Sequence, residues 1–201
     1  MKTIETVEAL EALYGTPGEA SLVKVAKHMT LTYRDWIMRS RFCVLTTVGP
    51  DGTDGSPRGD DGAVVQELDV QTLLLPDWRG NQRIDSLRNI LRDGRVSLMF
   101  MVAGSNNVVR VNGDAVLTAD PEICERFEQA GKHPKTVIVI RIAEIYSQCA
   151  RALLRARLWT DGDQTEGLPS VGDMLKEMTE GAFDGAAYDA EWQGRASKTM
   201  W

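Results

Sequence analysis

Histidine is nearly absent from this 201-residue chain: only His28 and His133 occur. A three-histidine zinc site is therefore excluded. Cysteine is scarce too. Cys43, Cys124 and Cys149 cannot all pair with one another, and no Cys-x-x-Cys is present. That removes the common thiolate metal and dithiol redox motifs. The three thiols read as free cysteines in a reducing cytoplasm. No stretch reaches the ~18 apolar residues of a membrane span. The opening Met1-Lys2-Thr3-Ile4-Glu5 lacks the apolar run of a signal peptide. No Gly-x-Ser-x-Gly elbow, phosphate-binding Walker loop or Gly-x-Gly-x-x-Gly fingerprint appears. The net charge of −6 argues against a nucleic-acid partner.

The composition that remains is ordinary for a folded domain, with 43% hydrophobic and 26% charged residues. The basic residues are unevenly spread. Arg79, Arg83, Arg88, Arg92 and Arg95 cluster in one stretch, and Arg151, Arg155 and Arg157 in another. Arginine clusters in an acidic protein suit a small anion, because a planar guanidinium matches a phosphate in a bidentate way. Solvated helix faces would give the same pattern.

The patterning predicts helices over 4–14 and 19–28, split by Gly15-Thr16-Pro17-Gly18. A short third helix holds Trp36 and Ile37, with Thr32 as its cap. Strands are expected over 42–48, on to Arg58 after the turn Gly49-Pro50-Asp51-Gly52, and over 63–68 and 71–75. Pro76 ends the last of these because it has no N–H to give a ladder. A helix over 82–92 shares Ile84, Leu87 and Leu91 on one face and stops at Gly94. Further strands follow over 96–102, 108–117 (with a bulge at Gly113) and 137–145. Pro121 opens a helix capped by Asp120, residues 149–158 form another, and two terminal helices cover 170–180 and 186–199. Five to seven short strands with inserted helices predict an antiparallel barrel. The chain divides into an N-terminal helical segment (1–40), a barrel domain (41–160) and a C-terminal helical extension (161–201).

Two segments carry the chemistry. Ser56-Pro57-Arg58-Gly59-Asp60 ends a strand; its glycine admits a flat ligand to the backbone and its arginine reaches an anion. Pro76-Asp77-Trp78-Arg79-Gly80-Asn81-Gln82-Arg83-Ile84-Asp85-Ser86-Leu87 runs strand, glycine turn, helix start. Free N–H groups at a helix N-terminus favour a phosphate, and Arg83 and Ser86 lie at that end. His133, in the turn-like Gly-Lys-His-Pro, reads as a loop residue rather than a base.

With Val109-Arg110-Val111-Asn112-Gly113 and the run from Cys149 to Trp159, these segments make the chain resemble the pyridoxamine 5′-phosphate oxidase-like FMN-binding split-barrel family over residues 35–160. The resemblance implies a six-stranded antiparallel Greek-key split barrel and a homodimer with FMN in its interface clefts. It implies that Arg58 and Arg83 hold the FMN phosphate and that Gly59 and Asp60 lie along the ring. Pro76 and Asp77 match positions whose backbone meets the ring, and Asn81 and Gln82 the turn supporting the phosphate. Arg110 matches the family's strand arginine, while Arg155 and Trp159 resemble the segment that closes the site from the other subunit. The chain departs from the family in two places. The terminal arginine–histidine pair that grips substrate phosphate is missing, with only Arg195 and Lys198 as late basic residues. Val108 also replaces a polar residue near the flavin. The expected function is an FMN-dependent oxidoreductase that is not an efficient pyridoxamine 5′-phosphate oxidase. Its alternatives are an FMN store or sensor, or a deazaflavin- or haem-handling protein of the same fold.

Overall fold

In the computed structural model, which describes residues 1–50 and 52–201, seven strands form one antiparallel sheet. They are β1 (Phe42–Gly49), β2 (Gly52–Gly59), β3 (Gln66–Asp69), β4 (Thr72–Pro76), β5 (Arg95–Met101), β6 (Val108–Thr118) and β7 (Val137–Gln148). Their order is β2-β1-β5-β6-β7-β4-β3. The family resemblance implied six strands and the sheet has seven; the strand expected over 63–68 is β3, a four-residue edge strand. The β1–β2 turn contains Asp51, which lies outside the described residues, and Gly49 pairs with Gly52 on either side of it.

Period-two alternation builds the core. On β1, Cys43 and Leu45 point inward. Val96, Leu98 and Phe100 do so on β5, and Ile138, Ile140 and Ile142 on β7. The opposite face of β7, as its alternation predicts, feeds a second cluster of Val137 with Leu74, Cys124 and Phe127. Each fully buried Leu, Ile or Phe contributes ~1.5–3 kcal/mol. Phe100→Ala would cost about 3–5 kcal/mol through lost contacts and the void left behind. The bulge is real, but its extra residue is on the partner strand. Asn112 pairs with Glu144 and Gly113 with Ile142, which leaves Ala143 unpaired on β7. Gly113 faces that kink, and a Cβ there would collide with the Arg141 carbonyl.

The helices are α1 (Val7–Tyr14), α2 (Glu19–Val23), α3 (Leu31–Ile37), α4 (Asp85–Arg92), α5 (Pro121–Cys124), α6 (Arg151–Ala156), α7 (Val171–Met178) and α8 (Gly185–Thr199). Helix α2 stops short of the expected residue 28 because Ala26 exchanges both backbone hydrogen bonds with Ile145 of β7. Thr30, not Thr32, caps α3, its hydroxyl accepting from the Tyr33 N–H. Asp120 caps α5, as its sequence indicates. Helix α4 lies on the sheet through Leu87 and Ile90 in the core and through Asn89, whose amide donates to the buried Thr47 hydroxyl at 3.1 Å. Its C-cap is Asp93, one residue before the expected Gly94. In the C-terminal hairpin the backbones of α7 and α8 touch at Gly172 and Gly185. Asp189 fixes the hairpin by accepting from the Ser170 hydroxyl (2.5 Å) and the Gly172 N–H (2.9 Å). Among the described residues, no helix is long and apolar enough to cross a membrane.

Candidate functional site

Strand β2 is an edge strand, so Pro57 within it deprives the sheet of no neighbour's hydrogen bond. The next residue, Arg58, turns its side chain across the end of the sheet. Its Nη1 donates to Asp77 Oδ1 at 2.5 Å, and both side chains are largely buried (17% and 21% exposed). Asp77 is itself fixed, since its N–H donates to the Thr136 carbonyl and prolongs the β4–β7 ladder. Arg58 Nε is buried and has no hydrogen-bond partner among the described residues. A buried donor of this kind costs ~1–3 kcal/mol until something accepts from it.

Asp60 organises the neighbouring wall. Its Oδ2 accepts from Trp78 Nε1, and its Oδ1 from Gln129 Nε2 and the Asp61 N–H, each at 2.7 Å. It thus positions an indole rather than standing free. Gly59 is not demanded by packing, because a Cβ there would meet the Arg41 carbonyl at an ordinary 3.6 Å.

The segment between β4 and α4 carries the second basic group. Asn81 Oδ1 accepts from the Arg83 N–H at 3.0 Å and shapes the turn. Gln82 and Ile84 both adopt left-handed backbone, φ 63° and 53°. Such conformations cost about 1–3 kcal/mol each and concentrate at ligand sites. Ile84 is the N-cap of α4, and no side chain among the described residues caps the helix. The other three helices of eight or more residues, among those described, are capped by Thr6, Ser170 and Asp184. The first-turn N–H groups of α4 are therefore left for another acceptor. Arg83 is exposed and bonds Asp85 at 2.8 Å. Ser86 Oγ donates to Asp54 Oδ2 at 2.6 Å, which ties α4 to β2 instead of pointing at the turn.

Between these walls lies a cleft of about 1670 Å³. It is larger than the ~300–1,000 Å³ typical of a single small-molecule site. Arg58, Gly59, Asp60, Pro76, Asp77, Asn81, Gln82 and Arg83 all line it. Arg110, Arg155 and Trp159 do not. Arg110 lies over the Tyr146 ring at 5.5 Å, Arg155 is exposed on α6, and Trp159 Nε1 donates to the Ser105 carbonyl at 2.8 Å. One chain does not bring these three to the other eight.

Several cleft residues escaped the sequence reading. Lys132, His133 and Lys135, from the loop between α5 and β7, line the cleft, as do Met200 and Trp201 after α8. His133 Nδ1 donates to the Phe127 carbonyl at 2.6 Å. The late basic candidates are elsewhere: Arg195 stacks on Tyr188 (4.4 Å) and Trp192 (5.5 Å), and Lys198 is exposed on α8. Only the clustering of Lys132, His133 and Lys135 in four residues signalled the loop, and nothing local signalled Trp201. Beneath the cleft, burial pushes the Cys43 thiol up to about 12, against the opposing pull of the Arg58 charge.

Comparison with known proteins gives the same region a relative. Residues 29–149, more than half the chain, match the pyridoxamine 5′-phosphate oxidase family. No curated protein matches the chain at a significant level. Solved structures similar to it include HupZ of Group A Streptococcus (16% identity, 59% of this chain and 93% of that one, TM-score 0.48). An FMN-binding protein from Syntrophomonas wolfei is similar at 15% identity, over 58% and 88% of the two chains, with TM-score 0.43. General Stress Protein 26 of Bacillus anthracis is similar at 19% identity, over 56% and 88%, with TM-score 0.41.

Proposed function

The chain belongs to the pyridoxamine 5′-phosphate oxidase family, and on that premise we propose that it binds FMN in the cleft between β2, β4 and α4 and serves as an FMN-dependent oxidoreductase. The observation that carries the proposal is a pair of unmet donors on one cleft. Among the described residues, Arg58 Nε is buried without an acceptor and the N-terminus of α4 has no side-chain cap. A phosphate supplies acceptor oxygens for such donors, and the helix dipole adds to its attraction.

Arg58 and Arg83 would hold the phosphate, with the Asn81–Gln82 turn carrying Arg83. Gly59, Pro76 and Asp77 would present backbone to the flavin ring, and Asp60 would keep Trp78 in place beside it. When bound, FMN supplies the redox chemistry, and the protein supplies position and electrostatics. No protein acid or base is then required, which suits a chain with two histidines. The cleft exceeds one ligand's volume, and that supports a substrate beside the flavin. Arg110, Arg155 and Trp159 fit the scheme as contributions from a second copy in a homodimer. Titrating the purified protein with FMN, followed by flavin fluorescence, tests the reading. Saturable binding supports it, and its absence would remove it.

A further inference from the structure

We propose that Trp201, gripped by Lys132 and seated on Trp78, is a wall of the cleft that restricts access to the flavin. The proposal rests on the FMN reading above. Three observations carry it. Trp201 and Trp78 meet edge to face, ring centres 5.2 Å apart and planes at 77°. Aromatic pairs of this geometry attract beyond their shared area. Lys132 Nζ donates to the Trp201 backbone carbonyl at 2.9 Å. Both indoles and Lys132 line the same cleft as Arg58 and Arg83.

These contacts form one frame. The loop between α5 and β7 holds Trp201 through Lys132 and holds Asp60 through Gln129. Asp60 in turn fixes the Trp78 indole N–H. Trp78 is thus anchored to β2 while Trp201 arrives from the far end of the sequence. The seat of Trp201 is not a by-product of helix packing. Helix α8 is secured separately, against α7, through Gly185 and Asp189. Both indoles remain partly exposed. A buried core pair would have no surface to offer; here two large rings line a cleft whose walls also carry the charged Arg58, Arg83 and Lys132. Trp201 lacks the indole N–H bond that fixes Trp78 among the described residues, so its position depends on the ring contact and on Lys132. It is the member of the pair that can yield.

The test measures the rate at which dithionite reduces protein-bound FMN, read from flavin absorbance, together with FMN affinity. Trp201→Ala should speed the reduction at least threefold while FMN affinity changes less than threefold. Trp201→Phe keeps an aromatic edge and should restore the wild-type rate. Lys132→Met has no N–H to donate, so it releases the backbone grip without altering either ring and should also speed reduction, by a smaller factor. FMN binding by wild type with equal reduction rates in all four proteins would overturn the wall and leave the FMN reading intact. Failure of wild type to bind FMN would overturn both.

Discussion

Arg58 of β2 and Asp77, just past β4, share a 2.5 Å hydrogen bond although their strands are not neighbours in the sheet. Four strands separate β2 from β4 in the hydrogen-bonded order, so the sheet must curl until its flanks meet. Side chains rather than a strand ladder make that closure, and the cleft opens where the ladder is missing. Removing one member of a buried ion pair leaves the other charged and unpaired, at a cost of about 3–5 kcal/mol when burial is complete. Because both groups keep some solvent contact, Asp77→Ala should sit at or below the lower end of that range. Urea unfolding of Asp77→Ala and Arg58→Ala checks this. The double variant should recover part of the loss, because neither charge is then stranded.

Arg83 is expected to behave differently. It is 76% exposed, and its pair with Asp85 contributes little to stability. Arg83→Ala should leave the urea midpoint almost unchanged. It should weaken FMN binding by the ~1.5–3 kcal/mol of a charge-assisted hydrogen bond, roughly ten- to a hundredfold in Kd. A fluorescence titration compares the two proteins directly. Unaltered affinity would take Arg83 out of the phosphate site.

Much of this was legible in the sequence because it is written in local patterns. The alternation of Ile138, Ile140 and Ile142 against Val137 and Val139 placed β7 between two apolar clusters, and both clusters are there. The Asp77–Leu87 segment announced its turn through Gly80 and Asn81 and the helix after it, but not the helix's inner face: Leu87 is buried with Ile90, whereas Ile84 and Leu91, expected beside it, are exposed. What stayed hidden depends on distant partners. Ala26 ends α2 early by pairing with Ile145, and Asp60 is bound to Trp78 and Gln129. Trp201 reaches a cleft whose other walls, Met200 aside, lie more than sixty residues upstream. Nothing within a helical turn of these residues encodes those contacts.

The three thiols should separate by reactivity. Cys149 is exposed, whereas Cys43 and Cys124 are buried, and burial raises both buried thiols. With Cys43 at about 12, its thiolate at pH 8 is on the order of one part in ten thousand. A disulfide reagent at pH 8 should titrate one fast thiol in native protein and three after denaturation. The same shift makes stability pH-dependent. The folded value lies above the 9.0 of the unfolded thiol. The contribution is therefore full below pH 9 and is lost as pH rises toward 12. Cys43→Ala should flatten that alkaline limb in urea midpoints measured from pH 8 to 11.

A homodimer is the expected state in solution. Arg110, Arg155 and Trp159 lie outside the cleft of their own chain, and a second copy is the simplest source of them. Sedimentation at low micromolar concentration should give about twice 22.2 kDa. A stable monomer that still binds FMN would show that one chain completes the site.

Efficient oxidation of pyridoxamine 5′-phosphate is not expected. That reaction needs a second phosphate grip beside the one holding FMN, and bidentate arginine is the best donor for it. Arg195, the late candidate in the sequence, lies over Tyr188 and Trp192 and does not line the cleft. The basic groups that do line it are mostly committed. Lys132 binds the Trp201 carbonyl, His133 binds the Phe127 carbonyl, and Arg58 and Arg83 are assigned to FMN. Arg79 and Lys135 remain, both exposed, so an anion held there stays largely hydrated and poorly oriented. Oxygen consumption by FMN-loaded protein with pyridoxamine 5′-phosphate should fall below the ~1 s⁻¹ floor of typical enzymes. Arg195→Ala should not alter whatever rate is found. Turnover well above that floor would contradict the assignment, and its loss in Arg79→Ala would identify the grip that supplies it.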